Sequence, residues 1–146
     1  MSTDVTACTA CGVRNRIAPA SVGIPHCPKC DAVPAWLVAV DDSNFDQVAA
    51  RSSLPVLLDL WAPWCPPCRA IAPAVESAAA RFAGRLKGAK LNVDDSPRTA
   101  GQFGVQGIPT LLILRNGTEV DRQVGVLVGD AFPRWIEQAI AKLEVS

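Results

Sequence analysis

The chain has 146 residues, enough for one ordinary domain with its own core plus a small appendage, and too few for two full domains. Its 14 Lys and Arg balance 14 Asp and Glu, so its overall field singles out no polyanionic partner such as nucleic acid. No stretch approaches the roughly 20 apolar residues of a membrane-spanning helix. The opening MSTDVTACTA has neither the basic start nor the apolar run of a secretory signal, so a cytoplasmic protein is expected.

Residues 1–34 hold four cysteines, few large apolar side chains, and Pro19, Pro25, Pro28 and Pro34. Such a segment cannot build a core unaided. Cys8-x-x-Cys11 and Cys27-x-x-Cys30 enclose 15 residues, the spacing of a four-cysteine zinc site in which each pair bends round one side of a tetrahedral ion. One zinc per chain would supply the folding energy this segment lacks. Two disulfides are the competing reading, which reducing conditions disfavour. A ligand role for His26 competes with a shell that four thiolates already complete.

The character changes near Pro34, which divides a zinc-binding segment, 1–34, from an α/β domain, 35–146. Trp36 to Val40 reads as a strand. Ser43 can cap a short helix carrying Phe45, Val48 and Ala49 inward. Pro55 to Ala62 is a nearly continuous apolar strand, of the kind buried on both faces. Ile71, Val75, Ala78 and Phe82 recur at helical spacing, with Pro73 predicting a kink. Ala89 to Asp94 is a further strand, and Ser96-Pro97 starts a short helix ending near Phe103. TLLILRNGTEVDRQVG reads as a hairpin turning at Asn116-Gly117. The last helix carries Phe132, Trp135, Ile136, Ala139, Ile140 and Leu143 on one stripe.

The third cysteine pair stands in WAPWCPPCR, Trp61 to Arg69, between a buried strand and a helix. A bare C-x-x-C is either half a zinc site or a redox pair. The α/β domain offers no second cysteine pair and no histidine, which favours redox chemistry. A cysteine opening a helix is reactive, because unpaired N–H groups and the helix dipole favour the thiolate. One thiol of such a pair attacks a disulfide and the other releases the product. Asp59, in the run LLDLW, would be a buried carboxylate with a raised pKa.

From about residue 36 to 143 the chain resembles the thioredoxins. LLDLWAPWCPPCR, KLNVDD, GVQGIPTLLILRNG and VGVL match, in order, that family's active-site strand and cysteine pair, its next strand, its cis-proline loop with hairpin, and a glycine turn beside the substrate groove. The resemblance implies a mixed β-sheet flanked by helices. It implies Cys65 as nucleophile, Cys68 as resolving thiol, Asp59 as the group that helps Cys68 lose its proton, and Lys90 as a cation tuning that carboxylate. Pro109, as a cis-proline, would offer backbone groups to an extended substrate, with Trp64, Pro66, Pro67, Ile108 and Gly125 around it. Trp61 fits either catalytic surroundings or core. Pro66 departs from the family's familiar glycine, which bears on the reduction potential. With the four N-terminal cysteines, the whole chain resembles the zinc-containing, thioredoxin 2 type.

The expected activity is reduction of protein disulfides by a monomer that binds no organic cofactor and is recharged by an NADPH-dependent flavoenzyme, thioredoxin reductase. The competing reading is a zinc-ribbon adaptor or redox-sensing holdase that binds clients without turnover. Retention of Cys65, Cys68 and Asp59 argues against it.

Overall fold

An apolar run avoids water on both faces only inside a sheet with layers above and below it. The computed structural model, which describes residues 4–8, 10–17, 26–31 and 36–145, puts the run around Leu57 in that position. Two short strands, β1 (Asp4–Ala7) and β2 (Arg14–Ile17), pair antiparallel. The main domain then runs β3 (Leu37–Val40), a π-helical turn (Asp46–Ala50), β4 (Val56–Trp61), α1 (Pro66–Arg81), β5 (Lys87–Asn92), α2 (Pro97–Gln102), β6 (Thr110–Arg115), β7 (Thr118–Val124) and α3 (Ala131–Val145). The sheet order is β3-β5-β4-β6-β7. β5 lies parallel to both β3 and β4, while β6 runs antiparallel to β4 and β7 to β6. This is the mixed sheet with flanking helices that the sequence predicts. The expected boundary at Pro34 lies outside the described residues.

β4 alternates between two cores. Leu58 and Leu60 join Trp36, Val38, Phe45, Val48, Leu91 and Leu112, whereas Leu57 joins Ile71, Val75, Phe82, Leu111, Phe132 and Ile136. Each such fully buried side chain contributes about 2 kcal/mol, so the double burial pins β4 and the chain that leaves its C-terminal end. The predicted stripe of α3 packs on the second core, with Trp135 half-buried and stacked on Phe132. α1 runs through Pro73 as one element, the proline exposed.

Two local expectations are corrected, and a third is met with a different cap. The turn after β3 is capped by Asp41 and not by Ser43: its carboxylate accepts from the N–H groups of Ser43 and Asn44, and Asn44 Oδ1 accepts from Asp41 N–H. Ser96-Pro97 starts α2 as expected, though the side-chain cap comes from Asp42, which accepts from the Arg98 and Thr99 N–H groups at 3.0 and 2.7 Å. β5 starts at Lys87, two residues before the predicted strand. There Lys87 N–H reaches Pro55 O, and Gly88 N–H reaches Trp36 O at 2.7 Å. A Cβ on Gly88 would stand 3.0 Å from that same Trp36 oxygen, so the close approach of the two strands requires glycine. The predicted hairpin forms, with positive φ at both Asn116 and Gly117.

Candidate functional site

Because β4 is buried on both faces, its exit places Cys65 at the start of α1. Cys65 is the N-cap, in extended backbone, and Pro66 and Pro67 fill the first two helical positions. Proline is tolerated there but carries no N–H. The first free helical donor is therefore Cys68 N–H, and it points at Cys65 Sγ, 3.2 Å away. Cys65 and Cys68 are joined as a disulfide with Cα atoms 5.3 Å apart. Each cysteine is only 3% exposed, and both pack with Ala62, Trp61, Val93 and Ile108.

Opposite the disulfide, the Ile108-Pro109 bond is cis and Ile108 O lies 3.9 Å from Cys65 Sγ. Pro109 has no N–H to give, and its carbonyl accepts from Gly125 N–H at 2.9 Å. The expected cis bond before Pro109 is thus present, and it carries the Ile108 carbonyl towards Cys65 Sγ. Trp64 stands 64% exposed beside Cys65, and its Nε1–H donates to Asp94 Oδ2 at 2.7 Å. The structure therefore brings Ile108 to the sulfur pair that Trp64, Pro66 and Pro67 adjoin along the chain, with Pro109 next to Ile108 and Gly125 bonded to Pro109.

Asp59 sits on β4, paired in register with Lys90 of β5. It is buried, and neither carboxylate oxygen has a hydrogen-bond partner among the described residues. Burial pushes its pKa up to about 6, while the positive charge of Lys90 pulls it down. Lys90 itself is half-buried, its Nζ 4.9 Å from the centre of the Trp61 ring.

The N-terminal cysteines also converge. Gly12 N–H closes on Cys8 O and Asp31 N–H on Cys27 O, both at 2.8 Å, so each C-x-x-C bends into the same kind of turn. All four sulfurs lie within 4.8 Å of one another. A tetrahedral zinc site with Zn–S bonds of about 2.3 Å has sulfurs about 3.8 Å apart. The Cys8–Cys30 and Cys11–Cys27 separations are 3.6 and 3.7 Å, so the donor set fits a metal ion of that size. Backbone N–H groups of Cys11 and Ala10 lower the Cys8 thiol pKa, which favours the thiolate a metal needs. His26 faces Asp31, its Nδ1 3.2 Å from the Asp31 carbonyl.

Two residues escaped sequence reading. Asp94 follows the end of β5 by two positions, and nothing local marks it as the partner of Trp64. Lys87 is 1% exposed, its Nζ donating to Val48 O at 2.7 Å and lying 4.2 Å from the Trp36 ring centre. A lysine in sequence defaults to the surface.

A family model described as Thioredoxin matches residues 36–138. Over 101 residues the chain is 48% identical to thioredoxin of Haemophilus influenzae, which covers 69% of this chain and 94% of that one. It is 42% identical over 99 residues to Thioredoxin 1 of Nostoc sp., covering 68% and 92%. Against the chloroplastic M-type thioredoxin of Pisum sativum, identity is 43% over 69% of this chain, which spans 59% of that protein. The chain belongs to the thioredoxin family, and its Cys65–Cys68 pair makes it a thiol-disulfide oxidoreductase. The family match starts after the four-cysteine cluster, which is an addition ahead of it. No helix among the described residues is long and apolar enough to cross a membrane.

Proposed function

We propose that the protein is a zinc-containing thioredoxin of the thioredoxin 2 type, a cytoplasmic reductase of protein disulfides built from a zinc segment, 1–34, and a catalytic domain, 35–146. The observation that carries the reading is the Cys68 N–H donating to Cys65 Sγ at the mouth of α1. A hydrogen bond to sulfur and the helix N-terminus both favour the thiolate over the thiol, so Cys65 is the attacking group. Its thiolate bonds one sulfur of the substrate disulfide and expels the other as a thiolate. Cys68 then loses its proton, with Asp59 as acceptor, and attacks Cys65 Sγ. The mixed disulfide breaks, the second substrate thiol leaves, and the enzyme is left in the disulfide form described above.

Asp59 suits the acceptor role because a carboxylate titrating at about 6 is ionised yet still basic near neutrality. Lys90 keeps that pKa from climbing further. Trp64, Ile108, Pro109 and Gly125 form the wall against which an extended substrate lies, and Pro66 and Pro67 stiffen its floor. The dithiol is restored by an NADPH-dependent flavoenzyme of the thioredoxin reductase kind. Cys8, Cys11, Cys27 and Cys30 would hold zinc, which ties together a segment with little core of its own. Reduction of insulin by the protein with dithiothreitol as electron source tests the reading. Catalytic precipitation of the insulin chains supports it, and a rate no higher than dithiothreitol alone rejects it.

A further inference from the structure

The segment that carries Ile108 and Pro109 towards the sulfurs, residues 104–109, has no helix or strand of its own, and Gly104 and Gly107 leave its backbone soft. β7 holds it at three places. At the entry, Arg122 Nη2 donates to Phe103 O, the carbonyl of the α2 C-cap. In the middle the Val124 side chain stands over Gly107, where a Cβ would lie 3.7 Å from Val124 Cγ1. At the exit, Gly125 N–H donates to Pro109 O, and Thr110 pairs in register with Val124. The exit is held by backbone bonds, but the entry depends on one side chain. That side chain is itself aimed: Glu119 Oε2 and Oε1 accept from Arg122 Nε and Nη2 at 3.1 and 2.7 Å, a two-pronged pair that fixes the plane of the guanidinium. Arg122 and Val124 lie two apart on one strand and so project from the same face.

We propose that Arg122, aimed by Glu119, is a positioning residue for the exchange reaction: it pins the entry of the 104–109 loop and thereby fixes where the Ile108 backbone stands against Cys65 when a polypeptide disulfide binds. The inference rests on the reading of Ile108 and Pro109 as substrate contacts. Arg122 itself touches neither sulfur. A loop held before the substrate arrives costs no ordering when the complex forms, and one released at its entry must be ordered at that moment. The loss therefore falls on binding of an extended substrate that leans on the loop. A small disulfide, which meets Cys65 with few contacts to the loop, is unaffected.

The test compares Arg122→Met, Arg122→Lys and Ile108→Ala in insulin reduction and in reaction of the reduced protein with dithiobis(nitrobenzoic acid), below the melting temperature of each. Arg122→Met is expected to raise the KM for insulin about fivefold, the order of one net hydrogen bond. Its kcat and its rate with the small disulfide should stay within about twofold of the parent. Amide hydrogen exchange at Gln106 and Gly107 should quicken in the same variant while exchange along β4 does not. Arg122→Lys keeps the charge and a donor for Phe103 O but loses the two-pronged pair, so its KM should rise about threefold, and it carries the comparison alone if the Met variant does not fold. An unchanged KM in the Arg122 variants alongside a raised one in Ile108→Ala overturns this inference alone. An unchanged KM in Ile108→Ala overturns the groove reading and this inference with it. A lowered melting temperature with KM and loop exchange unmoved also overturns it, since Arg122 would then only staple the fold. So does a small-disulfide rate that falls as far as the insulin rate, which would place the effect on Cys65 itself.

Discussion

Cys68 N–H donates to Cys65 Sγ at 3.2 Å, and it is the first N–H that α1 has to offer, because Pro66 and Pro67 precede it. The two cysteines are therefore unequal although both are covered. One is the capping sulfur that receives the helix's first donor. The other lies a turn inside.

That inequality predicts the outcome of trapping. Cys68→Ser keeps the attacker and removes the resolver, so it should accumulate a mixed disulfide with substrate through Cys65. Cys65→Ser should accumulate none. Non-reducing gels followed by peptide mapping read the difference, and adducts on Cys68 alone would reverse the assignment.

Replacing Pro66 by Gly adds an N–H close to Cys65 and loosens the open dithiol. Both effects favour the reduced form. The potential should rise by a few tens of millivolts, on the order of 1 kcal/mol for a two-electron couple. Equilibration with glutathione measures it, and a shift to more reducing values would contradict the account.

Asp59 gives a pH-dependent prediction for stability. Its pKa rises from 3.8 to about 6 on folding, so between these values the folded chain binds more protons than the unfolded one. Stability contributed by this group falls as pH increases through that window and stays lower above it. Asp59→Asn should therefore stabilise the protein at pH 7, by up to roughly 3 kcal/mol at about 1.4 kcal/mol per pKa unit. The gain should shrink towards zero near pH 4. Urea denaturation at the two pH values checks this, while the resolving step of the variant should be slower.

Lys87 behaves oppositely. Burial lowers its pKa from 10.5 to about 8, so the unfolded chain binds more protons between those values and stability rises with pH across them. Lys87→Met should remove that rise. Lys87→Ala should in addition leave a cavity beside Trp36 and cost about 2–4 kcal/mol. Thermal melts from pH 7 to 10 distinguish the two substitutions.

For the N-terminal cluster, freshly reduced protein should carry one zinc per chain, and Cys27→Ser should lower that content while insulin reduction largely survives. Metal analysis decides it. A zinc content that follows Cys65 instead would show that the metal does not belong to the N-terminal cysteines.

Much of this molecule was legible along the chain because its signals are local. The run PVLLDLWA read as a doubly buried strand, Asn116-Gly117 as a tight turn, and the C-x-x-C spacings narrowed the cysteine chemistry to metal binding, disulfide staples or exchange. Asp59 stood out for the same reason, as one charge inside an apolar run.

What the sequence left open was decided by contacts between distant segments. Asp42 caps α2 from 57 residues away, and nothing in the helix-start signal Ser96-Pro97 marks it. Lys87 is buried because Trp36 and Val48 close over it, and Asp94 meets Trp64 because the ends of β4 and β5 lie side by side. Spacing and composition determine which residues can react and which faces must leave water. Only the packed structure determines how far each charge is cut off from solvent and which donor reaches which acceptor, since both depend on neighbours that the chain supplies from elsewhere.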